Sequence, residues 1–75
     1  MTKPLLTFEI RDGDSELEIH GDQEGLQSLI RALTRIASSG GHEHLMTPSW
    51  GGNELSEEQQ HKGSRLINKV TIRRW

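Results

Sequence analysis

One segment of the chain has a clear helical period, and it limits the fold more than any other feature. Asp22 is a favourable N-cap, Glu24 suits the positive end of a helix dipole, and Gly40 with Gly41 can end the helix. Between these residues the apolar side chains recur at helical spacing: Leu26, Leu29, Ile30, Leu33, Ile36 and Ala37. Such a helix is about 24 Å long and strands are about 20 Å long, so we expect it to cover one face of a sheet.

The segment before the helix alternates between apolar and polar residues, which predicts a β-hairpin. Its apolar positions are Leu6, Phe8, Ile10, Leu17 and Ile19, and residues 12–15 have turn composition. A two-residue loop would place Phe8 opposite Leu17, whereas a four-residue loop would place Ile10 opposite Leu17. Both registers keep the apolar face intact, so the sequence does not choose between them.

Two further strands are expected after the helix. Residues 42–46 can form a third strand, which Pro48 ends, and residues 66–75 can form the last one. Residues 56–59 fit a short helical turn. The order β-β-α-β-β predicts an α+β fold with a mostly antiparallel four-stranded sheet and one amphipathic helix packed on one face. At this length we expect residues 1–75 to form a single domain.

The formal net charge of −2 results from two opposed regions. Residues 1–60 contain all eleven acidic groups and four basic ones, whereas residues 61–75 contain five basic groups. The acidic hairpin would favour a basic partner. Alternatively, the basic C-terminus lies beside the hairpin and neutralises it within the fold. We slightly favour this second interpretation.

The composition also bears on the compartment and on membrane association. The chain has no cysteine, which fits a reducing compartment. The N-terminal residues lack the apolar run of a secretory signal, and no apolar stretch is long enough to span a membrane. We therefore expect a cytoplasmic protein without a membrane partner.

His42 and His44 are the candidate metal ligands. On a strand they would share one face about 7 Å apart, from where two imidazoles could reach one zinc ion. A third ligand could come from His20 or Glu43, but a regular strand would turn Glu43 to the opposite face. We expect partner-facing or solvent-facing histidines, and neither a metal site nor a bound cofactor.

Catalysis and nucleic-acid binding have less support. Ser49, His44 and Asp12 could be drawn as a triad, but no nucleophile elbow or oxyanion loop accompanies them. We therefore predict that the chain is not an enzyme. The basic terminus around Arg73, Arg74 and its neighbours could bind phosphates, but the overall acidity argues against it. A small metal-binding or nucleic-acid-binding regulatory domain is the alternative function.

Trp50 has two interpretations. A lone tryptophan in a small domain is more often buried, so we favour a core position supplied from a loop. Its neighbours Gly51 and Gly52 could instead leave the ring exposed as an anchor for a partner, a role in which tryptophan is common.

The run from His42 to Ser56, HEHLMTPSWGGNELS, and the later residues 66–70 resemble a bacterial family called immunity protein 32, which comes from polymorphic toxin systems. The segment from Gly21 to Leu33 is similar as well. The resemblance implies an α+β protein that is produced beside a toxin and neutralises this cognate protein toxin by direct binding in the cytoplasm. It implies no catalytic residues.

A binding surface for such a partner can be proposed from the predicted fold. The sheet face away from the helix would present Glu9, Arg11, Glu16, Glu18 and His20, and the later loop adds four residues. The predicted partner-binding residues are Glu16, Glu18, His20, His42, His44, Trp50 and Glu54. A homodimer through an edge strand or an open sheet face also remains open.

Overall fold

The computed structural model describes residues 3–11, 13 and 15–75. Within these residues the elements follow in chain order: β1 (Leu6–Ile10), β2 (Leu17–Gly21), α1 (Gln23–Ser39), β3 (His42–Met46), a 3₁₀ helix (Pro48–Trp50), β4 (Arg65–Leu66) and β5 (Lys69–Arg73). The predicted α+β class is confirmed. None of the helices in this part of the chain is long and apolar enough to cross a membrane.

The strands form two antiparallel sheets, whereas a single four-stranded sheet was expected. The first sheet has the order β2-β1-β4, and the second pairs β3 with β5. Residues 55 and 56 lie between the sheets: Leu55 N–H donates to Met46 O on β3, and Ser56 N–H donates to Leu6 O on β1. An irregular segment therefore bridges the two sheets where a continuous strand was predicted.

The hairpin has the longer of the two predicted loops. Ile10 lies opposite Leu17 and Phe8 lies opposite Ile19. A hydrogen bond from Arg11 N–H to Glu16 O closes the pairing at 3.0 Å. This register keeps Leu6, Phe8 and Ile10 on the same face as Leu17 and Ile19.

The helix begins and ends at the residues that the sequence indicated. The Asp22 carboxylate accepts a hydrogen bond from Gly25 N–H at 2.8 Å, and Gly40 N–H donates to Ile36 O in a backbone conformation with φ of 80°. Gly25 is needed for close packing, since a Cβ there would lie 1.7 Å from Leu5 O. The first turn of α1 therefore packs closely on the backbone just before β1.

The core lies between α1 and the two sheets. Its buried members are Leu6, Phe8, Ala32, Leu45 and Leu55, with Leu29, Ile67, Val70 and Ile72 packed against them. Leu6 and Phe8 come from the hairpin and Leu45 from β3, so both sheets supply apolar contacts to one core.

The prediction for residues 66–75 was wrong in two respects. The segment forms two strands, β4 and β5, which are separated at Ile67 and Asn68. Ile67 N–H donates to Phe8 O, so Ile67 continues the pairing of β4 with β1 and packs against the core on the face of Phe8, whereas an unbroken strand would have turned it outward. Asn68 instead extends the pairing with β3, since its carbonyl and side-chain oxygens accept hydrogen bonds from Thr47 N–H and Oγ1. The helical turn expected at residues 56–59 is also absent, since these residues have an irregular conformation.

Candidate partner-binding surfaces

The face of the first sheet away from α1 is partly covered, contrary to the prediction of an open face. Glu9 is completely buried there. Its carboxylate accepts hydrogen bonds from Gln60 N–H and His61 N–H, each at 2.9 Å, from Ser64 Oγ at 2.8 Å and from Thr7 Oγ1. Residues 60–64 therefore lie over β1 and remove Glu9 from any partner surface.

The buried Glu9 carboxyl is held in its charged form. Burial by itself would raise its pKa, but the hydrogen bonds from Thr7, Gln60, His61 and Ser64 outweigh this effect and lower the pKa to about 2. The charge thus fixes residues 60–64 on β1 at neutral pH. No sequence pattern indicated this role, because the alternation of the strand only shows that Glu9 lies on the face opposite the apolar residues.

The remaining hairpin residues lie at the rim of this covered face. Glu18 and His20 are half-buried, and Glu16 is exposed. Arg11 Nη1 and His20 Nε2 lie 2.9 Å and 3.0 Å from the two carboxylate oxygens of Glu18. The hydrogen bond from Arg11, followed by that from His20, lowers the pKa of Glu18. Glu16 is thus the predicted hairpin residue with the most open access to a partner.

The second sheet presents a basic face away from α1. The rings of His42 and His44 meet edge to face with centroids 5.0 Å apart, and His44 Nδ1 lies 3.0 Å from Thr71 Oγ1. Desolvation, followed by the nearby charges of Lys69, His42 and Arg73, lowers the pKa of His44. Across the described part of the chain, no group of three or more His, Asp or Glu side chains is placed to hold a metal ion.

The basic C-terminal region lies only in part beside the acidic hairpin, as the favoured interpretation of the charge asymmetry required. Arg65 lies opposite Ile10 on β1 of the hairpin, whereas Lys69 and Arg73 lie opposite Met46 and His42 on β3 of the second sheet. The Arg74 guanidinium lies next to Gly40 at the carboxyl end of α1, where the helix dipole favours a positive charge. Basic residues of the C-terminal region therefore lie both beside the hairpin and on the face of the second sheet.

Trp50 is exposed, so the preferred core position was wrong. Its side chain lies at the end of the 3₁₀ helix and is 57% exposed. The backbone around it is well held: Trp50 N–H and Gly52 N–H both donate to Thr47 O, and Gly51 N–H donates to Pro48 O with φ of 89° at Gly51. A rigid backbone that carries a solvent-facing indole is the arrangement of a binding anchor.

Two carboxylates hold residues 47–55, which we call the Trp50 loop. Glu54 Oε1 accepts hydrogen bonds from Met46 N–H at 3.1 Å and from Asn53 N–H at 3.3 Å. Glu57 accepts from the backbone N–H of Ser49, and this bond lowers the pKa of Glu57. Glu54, a predicted contact residue, therefore also shapes the loop, and Glu57 has a supporting role that the sequence did not reveal.

A depression of about 570 Å³ lies between the Trp50 loop, the first turns of α1 and the N-terminal residues Lys3 and Pro4. Its charged lining groups are the carboxylates of Glu54, Glu57 and Glu58 and the amine of Lys3. This excess of negative charge suits a basic side chain of a partner.

A second surface, which the sequence analysis missed, is apolar. We call it the β2–α1 apolar surface, and its residues are Leu17 (53% exposed), Ile19 (47%), Leu26 (41%), Ile30 (59%) and Leu33 (46%). Leu26 packs beside β2, because a Cβ at Gly21 would lie 2.9 Å from Leu26 Cγ. The opposite flank of α1 faces β3, where Arg35 pairs with Glu43 at 2.9 Å. The exposed helix residues therefore lie on the same side of the molecule as β2.

The apolar stripe of α1 is wide, and this width could have indicated the exposed surface from the sequence. The whole stripe was predicted to pack on a sheet, but only the side with Leu29, Ala32 and Ile36 faces the core. Leu26, Ile30 and Leu33 lie beyond the edge of the covered sheet. Exposed apolar side chains grouped on one side of a small domain often mark an interaction site.

The sequence profile of the family described as Immunity protein 32 matches residues 16–70. The chain belongs to the immunity protein 32 family. The match covers most of the chain and confirms the resemblance found in the sequence. Comparisons with curated proteins and with solved structures gave no significant match.

All seven predicted partner-binding residues lie within the segment that matches this immunity protein family, but the structure places them in separate groups. Glu16, Glu18 and His20 are on the hairpin, His42 and His44 are on the second sheet, and Trp50 and Glu54 are on the Trp50 loop. The β2–α1 apolar surface also lies within the matched residues, whereas Glu9 lies before them. Their assignment to a partner surface stays a prediction.

Proposed function

We propose that this protein neutralises a cognate protein toxin in the cytoplasm by direct binding, without catalysing a reaction. Membership of the immunity protein 32 family over residues 16–70 is the observation that carries this proposal. Neutralisation by binding needs a rigid scaffold with exposed anchors, and the chain offers such anchors on its surface.

The Trp50 loop and the acidic depression beside it are the proposed centre of the contact. Trp50 supplies a large exposed ring on a backbone whose N–H groups donate hydrogen bonds to the Thr47 and Pro48 carbonyls. Little conformational freedom would be lost when such a ring is buried by a partner. The carboxylates of Glu54, Glu57 and Glu58 next to it can pair with basic groups of the toxin.

The other predicted residues would make additional contacts from two separate places on the surface. Glu16, with Glu18 and His20, adds negative charge on the hairpin, and His42 with His44 offers donors and aromatic edges on the second sheet. We expect these peripheral groups to affect the association rate and selectivity more than the affinity, because exposed charges are screened by salt.

A co-expression assay tests the proposal directly. The toxin encoded beside this protein is expressed in bacteria with and without the chain, and growth is measured. We expect wild-type protein to restore growth and the purified pair to form a complex of defined stoichiometry. Unchanged growth arrest, with both proteins present at comparable levels, would refute the proposal.

Trp50→Ala tests the proposed contact. Removal of a central tryptophan typically costs about 2 kcal/mol of binding free energy, which corresponds to roughly a 30-fold weaker Kd. Trp75→Ala is the matched control, because Trp75 is completely exposed at the other end of the second sheet's last strand. Calorimetric titration should show weakened binding for Trp50→Ala alone. Equal affinity of both folded variants would exclude Trp50 from the contact.

A further inference from the structure

Among the residues that the structure describes, β2 is an edge strand that lacks the usual sequence protection against pairing. It lies at the end of the order β2-β1-β4, and its sequence LEIHG contains neither lysine nor proline. Edge strands of stable monomers are commonly protected by such residues, by bulges or by covering segments. The register of β1 with β2 runs without a bulge from Leu6–Gly21 to Ile10–Leu17.

The hydrogen-bond pattern of the hairpin shows which backbone groups of β2 face outward. Arg11 N–H donates to Glu16 O, and Asp22 N–H donates to Leu5 O. In an antiparallel pair, hydrogen-bonded and non-bonded positions alternate, so Glu18 and His20 also bond toward β1. The N–H and C=O groups of the intervening residues therefore point to the open edge: Leu17, Ile19 and Gly21.

We propose that β2 pairs with β2 of a second copy of this chain, antiparallel and centred on Ile19. The two strands would be related by a twofold axis perpendicular to the sheet, so residues that lie opposite each other must have their side chains on the same face. With Ile19 opposite Ile19, Leu17 lies opposite Gly21 of the other copy. All outward backbone groups of the strand then have partners, which gives six hydrogen bonds across the axis.

The charges on β2 select this register over its neighbours. When Ile19 is central, Glu18 of each copy lies opposite His20 of the other, so the Glu18–His20 hydrogen-bond contact within each chain gains a counterpart across the axis. If the axis passed through Glu18 or His20, that residue would lie opposite its own copy in the partner. Only four hydrogen bonds would then form between the two β2 strands. Glu16 would face Asp22 just beyond the strand ends, where solvent screens the repulsion.

The helix adds apolar area to the same interface. Both copies of α1 would lie on one face of the joined sheet, with their Leu26, Ile30 and Leu33 flanks turned toward the twofold axis. The exposed side chains of Leu17 and Ile19 lie on that same face. A β2–β2 pairing thus covers the whole β2–α1 apolar surface, because the two helices meet as well as the two strands.

Single cysteine variants test both the partner and the register, because the natural chain contains no cysteine. In the proposed dimer the two Ile19 Cα atoms are about 5.5 Å apart, a distance that a disulfide can bridge. The two Leu17 Cα atoms are about 13 Å apart along the strands, which is too far. Mild oxidation should therefore cross-link Ile19→Cys at least ten times faster than the control Leu17→Cys.

The mass of the protein in solution gives the second test. Light scattering at about 100 μM should show twice the 8.5 kDa mass of one chain for the wild type, a concentration well above typical dimer dissociation constants. Ile19→Lys should give the monomer mass, and Thr71→Lys, an exposed position on β5, should remain dimeric. Circular dichroism checks that both variants fold.

Two outcomes would overturn the inference. One is a monomeric wild type at this concentration, and the other is equal cross-linking of the two cysteine variants. A monomeric wild type whose toxin binding is abolished by Ile19→Lys would show that the edge receives a toxin segment instead of a second copy. Since Trp50→Ala tests toxin binding separately, the dimer and the proposed function can fail independently.

Discussion

β2 and β5 are both edge strands, but their sequences treat the open edge differently. β5 carries Lys69 and Arg73, whose charges oppose the approach of another strand. β2 has neither lysine nor arginine, and it has Leu17 and Ile19 exposed on its apolar side. The comparison indicates that one small protein can protect one edge strand against pairing with basic side chains while another edge strand lacks this protection.

In each of the two sheets a carboxylate binds another segment of the chain, but the two contacts differ in burial. On β1 of the first sheet, Glu9 is buried and holds residues 60–64 by hydrogen bonds from backbone and hydroxyl groups. On β3 of the second sheet, Glu43 makes a bidentate ion pair with Arg35 of α1 at the surface. We expect the buried attachment to be much the stronger, because solvent cannot replace its hydrogen bonds.

Glu9→Ala should have the largest effect on stability. It removes a charged acceptor and leaves the N–H groups of Gln60 and His61 and the hydroxyl groups of Thr7 and Ser64 without their partner. We expect a loss of about 3 to 4 kcal/mol in the free energy of unfolding, a large part of the stability of a small domain. Urea unfolding measures it. A variant as stable as the wild type would contradict the proposed role of the carboxylate.

Acidification should produce the next largest effect. The folded-state pKa of Glu9 is lowered from 4.5 to about 2, so its stabilising contribution is complete above pH 4.5 and is lost as the pH falls toward 2. The loss attributable to Glu9 should be on the order of 3 kcal/mol or less. Stability measured between pH 5 and pH 2 should therefore fall more steeply for wild type than for Glu9→Gln.

The comparison of wild type with Glu9→Gln controls for the other carboxylates. The pKa values of Glu18, Glu43 and Glu57 are also lowered, so these groups weaken the fold in acid in the same direction. They are present in both proteins, and only the contribution of Glu9 differs. Equal slopes would show that Glu9 titrates normally in the folded chain.

Glu43→Gln should have the smallest effect. The pair with Arg35 lies at the surface, where solvent and salt weaken an ion pair. We expect a small destabilisation that decreases further at high salt, measured by urea unfolding beside Glu9→Ala. An effect equal to that of Glu9→Ala would mean that the two attachments do not differ as the structure indicates.

The sequence alone determined the elements whose signals are local. The N-cap of α1 at Asp22, its end at Gly40 and the strand at residues 42–46 follow from neighbouring residues, because capping and alternation act within a few positions. The motif in residues 42–56 was sufficient to indicate the family, and the profile match confirmed it. For the hairpin, the sequence allowed a two-residue or a four-residue loop, and the structure has the four-residue register.

Only the tertiary structure decided which side chains are covered. Glu9 is buried by groups that follow it by about fifty positions, and Ile67 turns inward because it pairs with β1 opposite Phe8. Trp50 is exposed and part of the α1 stripe has no covering sheet. Periodicity states which residues share a face, but burial depends on what the rest of the chain places against that face, and this is set by long-range packing and hydrogen bonds.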